Sequence, residues 1–180
     1  RSDADYVFLE EMRDAASYRL FRGITSLGTM RSKGTIHDGS ALNIPYKMAS
    51  AIASQLGGDR QAMIAQLFGS IHFVFELMQL PENKAQKRLK ALWEYRYDPA
   101  EDRVCAQQLC SYDPKTDSWR WAPAIGGDKL AIAAAYPGAE EDLKKALQTL
   151  SSMDPLPICP IYPAYYRASR SEAEKEAFDE

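Results

Sequence analysis

Along the first 80 residues the apolar positions recur at helical spacing, and beyond residue 92 they alternate. Phe8, Leu9, Met12, Ala16 and Leu20 share one helical face. A helix is therefore expected over Asp3–Phe21, capped by Ser2 and stopped near Gly23. The stretch Ile24–Asn43 has no period and reads as a long loop or a pair of short strands. Asn43 can cap a second helix, Ile44–Leu56, which carries Pro45 in its first turn and ends at Gly57-Gly58. Asp59 then caps a third helix expected to reach Leu80. Its broad apolar face (Ile64, Leu67, Phe68, Ile71, Val74, Phe75, Met78) marks it as the centre of the core. Pro81 is expected to open a shorter basic helix with Lys84, Lys87, Arg88 and Lys90.

From Leu92 the period becomes two. Trp93, Tyr95 and Tyr97 point one way, Leu92, Glu94 and Arg96 the other. Two near-identical turns follow, Tyr97-Asp98-Pro99-x-x-Asp102 and Tyr112-Asp113-Pro114-x-x-Asp117. Pro suits the second position of a type I turn, and Asp before it bonds its own backbone. Two hairpins in succession predict a three-stranded meander whose third strand is Ser118–Trp121. Downstream, Asp128 caps an Ala-rich helix stopped by Pro137, and Ala139–Ser152 forms another helix. Pro155–Pro163 is proline-rich and extended. The fold expected is α+β: a mostly helical single domain over residues 1–180, with a three-stranded antiparallel β-meander at about residues 92–122. Residues 164–180 are expected to form a frayed acidic tail.

Composition supports a folded chain without naming its chemistry. Hydrophobic residues make up 46% and charged residues 26%, which is ordinary for a globular protein. No apolar run reaches the roughly 20 residues of a bilayer helix. Net charge is −3, which gives no argument for general nucleic-acid binding. The charge is unevenly spread: between Ala15 and Gly58 five basic residues (Arg19, Arg22, Arg31, Lys33, Lys47) face Asp38 alone. Such polarity steers charged partners. Three cysteines (Cys105, Cys110, Cys159) are an odd number, pointing to a reducing, cytoplasmic setting. The chain begins at Arg1 rather than Met, so a processed or exported form fits the sequence too.

Each candidate for chemistry is weak. His37 and Asp38 are neighbours with Ser40, yet partners of a catalytic triad converge from separate elements, and Asp38-Gly39 reads as a turn. His72 and Glu76 lie four apart, and two residues do not make a metal site, so no metal is expected. Arg22, Arg31 and Lys33 beside the glycines of segment 23–40 could hold an anionic group on backbone amides. No cofactor fingerprint is present, and no cofactor is expected. The aromatic meander with its arginines, Arg96, Arg103, Trp119, Arg120 and Trp121, has the composition of a protein-binding hot spot. The expected function is thus a non-enzymatic interaction protein that recognises another protein through the meander and the basic segment. The alternative is a small enzyme or anionic-ligand-binding protein using loop 23–40 with His37, and the third reading is a nucleic-acid binder. A homo-oligomer is compatible with the leading reading.

Overall fold

The computed structural model describes residues 7–26, 32–98, 103–121, 125–126, 129–131, 135, 138–152 and 164–167. The chain is α+β, as expected, but strand takes a larger share than the helical spacing implied. It gathers into two compact units. The first comprises Arg1–Ile71, Tyr95–Cys105 and Tyr165–Glu180; the second comprises His72–Glu94 and Ala106–Ala164.

In the first unit, β1 (Val7–Met12) leads through α1 (Ala15–Ser26) to β2 (Ser32–Ile36). The two strands pair in parallel, with Phe8 opposite Lys33 and Leu9 opposite Gly34. The single helix expected over Asp3–Phe21 is instead a strand at Val7–Met12 followed by a helix from Ala15. Val7-Phe8-Leu9 alternates as well as it spirals, and the true helix start is Asp14. Its carboxylate accepts the Ser17 amide at 2.7 Å, while the Ser17 hydroxyl accepts the Asp14 amide at 3.2 Å. Gly34 lets β2 come close to its neighbours: a Cβ there would lie 2.7 Å from Met12 Cε and 3.1 Å from Phe21. A 3₁₀ turn (Ala41–Asn43) precedes α2 (Ile44–Leu56) and α3 (Arg60–Ser70). Both helices start where the sequence placed them. Asp59 Oδ1 accepts the amides of Gln61 and Ala62, and α2 ends at Gly57 (φ 74°) and Gly58 (φ 112°), backbone that favours glycine.

The helices bury Tyr18, Met48, Ile52, Ile64, Leu67 and Phe68. Tyr95 joins this core. Its ring lies 4.8 Å from that of Phe68, and its hydroxyl donates to the Ala41 carbonyl. Burying each such aromatic is worth roughly 1.5–3 kcal/mol. An aromatic of the meander thus packs on the third helix at this residue.

The third helix is shorter than its apolar pattern suggested. It stops at Ser70, whose hydroxyl bonds back to the Gln66 carbonyl, and Ile71 turns extended (φ −88°, ψ 111°). Phe73–Gln79 is a strand, β3. The basic helix expected after Pro81 is absent too. Pro81 sits in a turn closed by Asn83 N–H to the Leu80 carbonyl at 3.2 Å, and Lys87 already begins β4 (Lys87–Asp98). β5 (Arg103–Asp113) and β6 (Ser118–Trp121) follow. The antiparallel order is β3-β4-β5-β6, so the meander has four strands rather than three; β7 (Ala164–Arg167) also pairs with β5. The domain is accordingly not mostly helical. The second hairpin is as expected, with Tyr112 opposite Trp119 and Asp113 opposite Ser118. The later helix, α4 (Ala139–Ser152), has the expected bounds. Most of the Ala-rich helix, the proline-rich stretch and most of the acidic tail lie outside the described residues.

Candidate interaction surface

Within the second unit the sheet has two very different ends. β6 has four residues with Arg120 exposed at its middle, features that blunt a strand edge. Its tryptophans are half-buried, as is Trp93 on β4. Trp119 is committed inward: its indole N–H donates to the Leu89 carbonyl at 2.8 Å, and its ring lies 5.3 Å from that of Tyr112. Trp121 stands opposite Cys110, a buried thiol, and Arg120 opposite Ser111. Among the expected hot-spot residues whose side chains are described, Arg120 is the one mainly in solvent. Arg96 is half-buried in β4, and Arg103 is the first residue of β5.

The duplicated turn has a physical reason. In its second copy the Tyr112 hydroxyl donates to Asp117 Oδ1 at 2.7 Å, and Asp113 Oδ1 accepts the Lys115 amide at 2.9 Å. Arg88 on β4 grips both Asp117 oxygens, at 3.0 and 3.3 Å. The first residue of the motif thus bonds the last one, across a turn that holds Asp117 at φ 45°. The Arg88 guanidinium and the Tyr112 hydroxyl keep the Asp117 carboxyl below the usual carboxylate range, and Asp117 pushes the Tyr112 phenol up. A depressed carboxyl contributes stability above its unfolded value, about pH 4, and loses it as pH falls through the folded value. Asp117→Asn, which tolerates the same backbone, should therefore be less stable than wild type at neutral pH. The gap should close on acidification, as read by urea denaturation from neutral to acid pH. A gap constant with pH would mean the carboxylate charge contributes nothing.

At the other end, β3 is seven residues long, and among the described residues no strand pairs with its outer edge. Phe73, Phe75 and Leu77 are 37, 64 and 68% exposed and stand in one row. Across the ladder Phe73 meets Glu94, Phe75 meets Leu92 and Leu77 meets Leu89. Val74, Glu76 and Met78 turn to the other side and are half-buried. The strand holds no lysine and no proline, and its single charge, Glu76, pairs with Lys90 at 3.5 Å. Large apolar side chains on an unguarded edge are the usual mark of a surface that meets another chain.

The polar candidates gather elsewhere, at the carboxyl ends of the parallel pair in the first unit. His37 bonds Glu11, not its neighbour Asp38: Nε2 lies 3.0 Å from Glu11 Oε1. Glu11 sits at the register shift of β1 with φ 51°, its amide donates to Thr35 Oγ1 at 2.7 Å, and Arg13 pairs with the same carboxylate. Arg13 first, then His37, holds the Glu11 carboxyl below its ordinary range. Asp38 pairs with Lys47 at 3.3 Å. The His37 side chain is 83% exposed, so water screens this network and the imidazole has the solvation of a surface group. Arg22 lies on α1 and Lys33 on β2, while Arg31 falls outside the described residues. Among the described residues no cluster of His, Cys, Asp and Glu could hold a metal ion, and no helix is long and apolar enough to cross a membrane.

No protein-family model and no curated protein matches the chain. The residues that the sequence reading missed are those of β3, because Ile71, Val74, Phe75 and Met78 extend the face of α3 at helical spacing. The available signal was local: Gly69-Ser70 interrupts the helix, and Phe73-Val74-Phe75 is a run of strand formers.

Proposed function

We propose that this chain is a non-enzymatic interaction protein that takes an extended segment of another polypeptide onto β3 as an added strand. The observation that carries this reading is the exposed row Phe73, Phe75 and Leu77 on an edge strand. In strand addition the free backbone groups of the edge give affinity, and alternate side chains give specificity. The added strand would present apolar residues at every second position, to lie beside that row. The aromatic-arginine strand β6, through Arg120, would contribute charge rather than the main contact. The acidic composition supports a protein partner over nucleic acid.

A displayed library of random peptides, selected against the full chain, tests this. Enriched peptides should alternate apolar and polar residues. Their affinity should fall roughly tenfold or more for Phe75→Lys or Leu77→Lys, the equivalent of at least about 1.4 kcal/mol. Peptides that bind the lysine variants as tightly as wild type would place the site elsewhere.

A further inference from the structure

The exposed row has a symmetry of its own. On β3 the apolar residues 73, 75 and 77 are centred on Phe75, and the intervening residues are Val74 and Glu76. We infer that β3 pairs with β3 of a second copy of this chain, antiparallel, about a twofold axis at Phe75. This rests on the reading of β3 as an open edge and names its occupant.

The register follows from elementary constraints. Residues directly opposite in an antiparallel pair point to the same side. For the exposed row of one copy to continue into that of the other, paired residues must both be odd-numbered or both even-numbered, so the axis passes through a residue. Through Glu76 it would set two carboxylates face to face, which is destabilising. Through Val74 it would leave Leu77 opposite Ile71, which is buried and lies before the strand. Through Phe75 it sets Phe75 against its own copy and Phe73 against Leu77 twice over. Each Glu76 then meets a Val74 and keeps its own Lys90. Every exposed apolar side chain of β3 finds an apolar partner, and no like charges meet. This is the self-complementarity an isologous interface requires.

The size of the patch sets the strength. At these exposures the three side chains show on the order of 100 Å² each. Two copies bring roughly 600 Å² of apolar surface, well short of the ~1,200 Å² at which standard stable interfaces begin. The pairing is therefore reversible and concentration-dependent. The same edge serves both occupants, so peptide binding and self-pairing compete.

Sedimentation of the full chain over about 1–500 µM, where small interfaces dissociate, is the first measurement. The mass should rise from 20.2 kDa toward twice that value, and Phe75→Lys should stay monomeric throughout. The second measurement is mild oxidation of single-cysteine substitutions. Opposed residues hold their Cβ atoms about 4.5–5.5 Å apart, close enough for cysteines to bridge with small adjustment. Phe75→Cys should form a disulfide-linked dimer, while Val74→Cys and Glu76→Cys should remain at the background of the wild-type chain with its native cysteines. A chain that stays monomeric yet binds selected peptides on β3 overturns self-pairing and leaves strand addition standing. A monomer that binds none removes both. A monomer in which every amide of 73–79 resists hydrogen exchange, the outward-facing ones as well as those bonded to β4, has its edge covered by its own chain, which overturns the proposal. Cross-linking through residue 74 or 76 in preference to 75 overturns the register.

Discussion

Tyr95→Ala should cost about 3–5 kcal/mol of unfolding free energy, the range for removing a large aromatic from a packed core. Tyr95 is fully buried, its ring meets Phe68 of α3, and its hydroxyl bonds the Ala41 carbonyl at the turn before α2. One side chain therefore joins strand, helix and turn within the first unit. Tyr95→Phe separates the two contributions. It keeps the ring and removes only the hydroxyl's bond to a carbonyl that also accepts the Ile44 amide, which should cost about 1 kcal/mol. Chemical denaturation of the three proteins measures both steps. Equal losses for Phe and Ala would assign the whole effect to the hydroxyl; a Phe variant as stable as wild type would mean that water replaces the bond. Trp121→Ala, at a half-buried position on β6, should cost less than Tyr95→Ala.

Tyr95 also shows what was legible in the sequence. Its alternation with Trp93, just before a Tyr-Asp-Pro turn, is enough to place it on a strand, on the same side as Trp93. Local signals did well wherever they had a single physical meaning. Asp59 as a cap, Gly57-Gly58 as a stop, and Asp113-Pro114 as a turn each name one backbone conformation. The misreadings came from apolar runs that fit two periods at once. Positions 71, 74, 75 and 78 continue the helical face of α3, while 73, 75 and 77 are a strand row, and residue 75 belongs to both. Periodicity alone cannot separate such readings. The choice depends on β4, which offers Phe75 a cross-strand neighbour in Leu92. Val7–Leu9 has the same ambiguity, decided by β2 with Gly34 opposite Leu9. The site is hidden by the same effect: read as part of the central helix, the aromatics of 73–79 count as core, and the surface candidates fall on the rest of the meander and the basic segment. The pair Glu11–His37 was invisible for another reason, since 26 residues separate partners that only the parallel strand register brings together.

Glu94→Ala should be the second most damaging change, with a loss of about 2–4 kcal/mol. Glu94 is fully buried in β4, and both its oxygens accept the Gly126 amide, at 3.1 and 3.2 Å. The Gly126 carbonyl in turn accepts the amides of Lys129 and Leu130, at 3.0 and 3.1 Å. The carboxyl thus fastens Gly126, and through its carbonyl Lys129 and Leu130, to the sheet. Removing it leaves a buried N–H without its acceptor and a space where four heavy atoms had been. Glu94→Gln keeps the shape and one acceptor oxygen, so it should cost about 1 kcal/mol. The order wild type, Gln, Ala in unfolding free energy is the expected result, and the Gly126 amide should exchange with solvent faster in the Ala variant. If Ala and Gln are equally destabilised, loss of an acceptor is not the cause, and the carboxyl must matter through some other contact. The consequence reaches the proposed interface, because Glu94 is the cross-strand neighbour of Phe73, the first residue of the exposed row. An edge strand can serve as a template only while its inner ladder holds it extended. Glu94→Ala should therefore weaken peptide capture and self-pairing at β3 although Glu94 itself is buried, whereas Asp117→Asn, which loosens the turn before β6, should leave both unchanged.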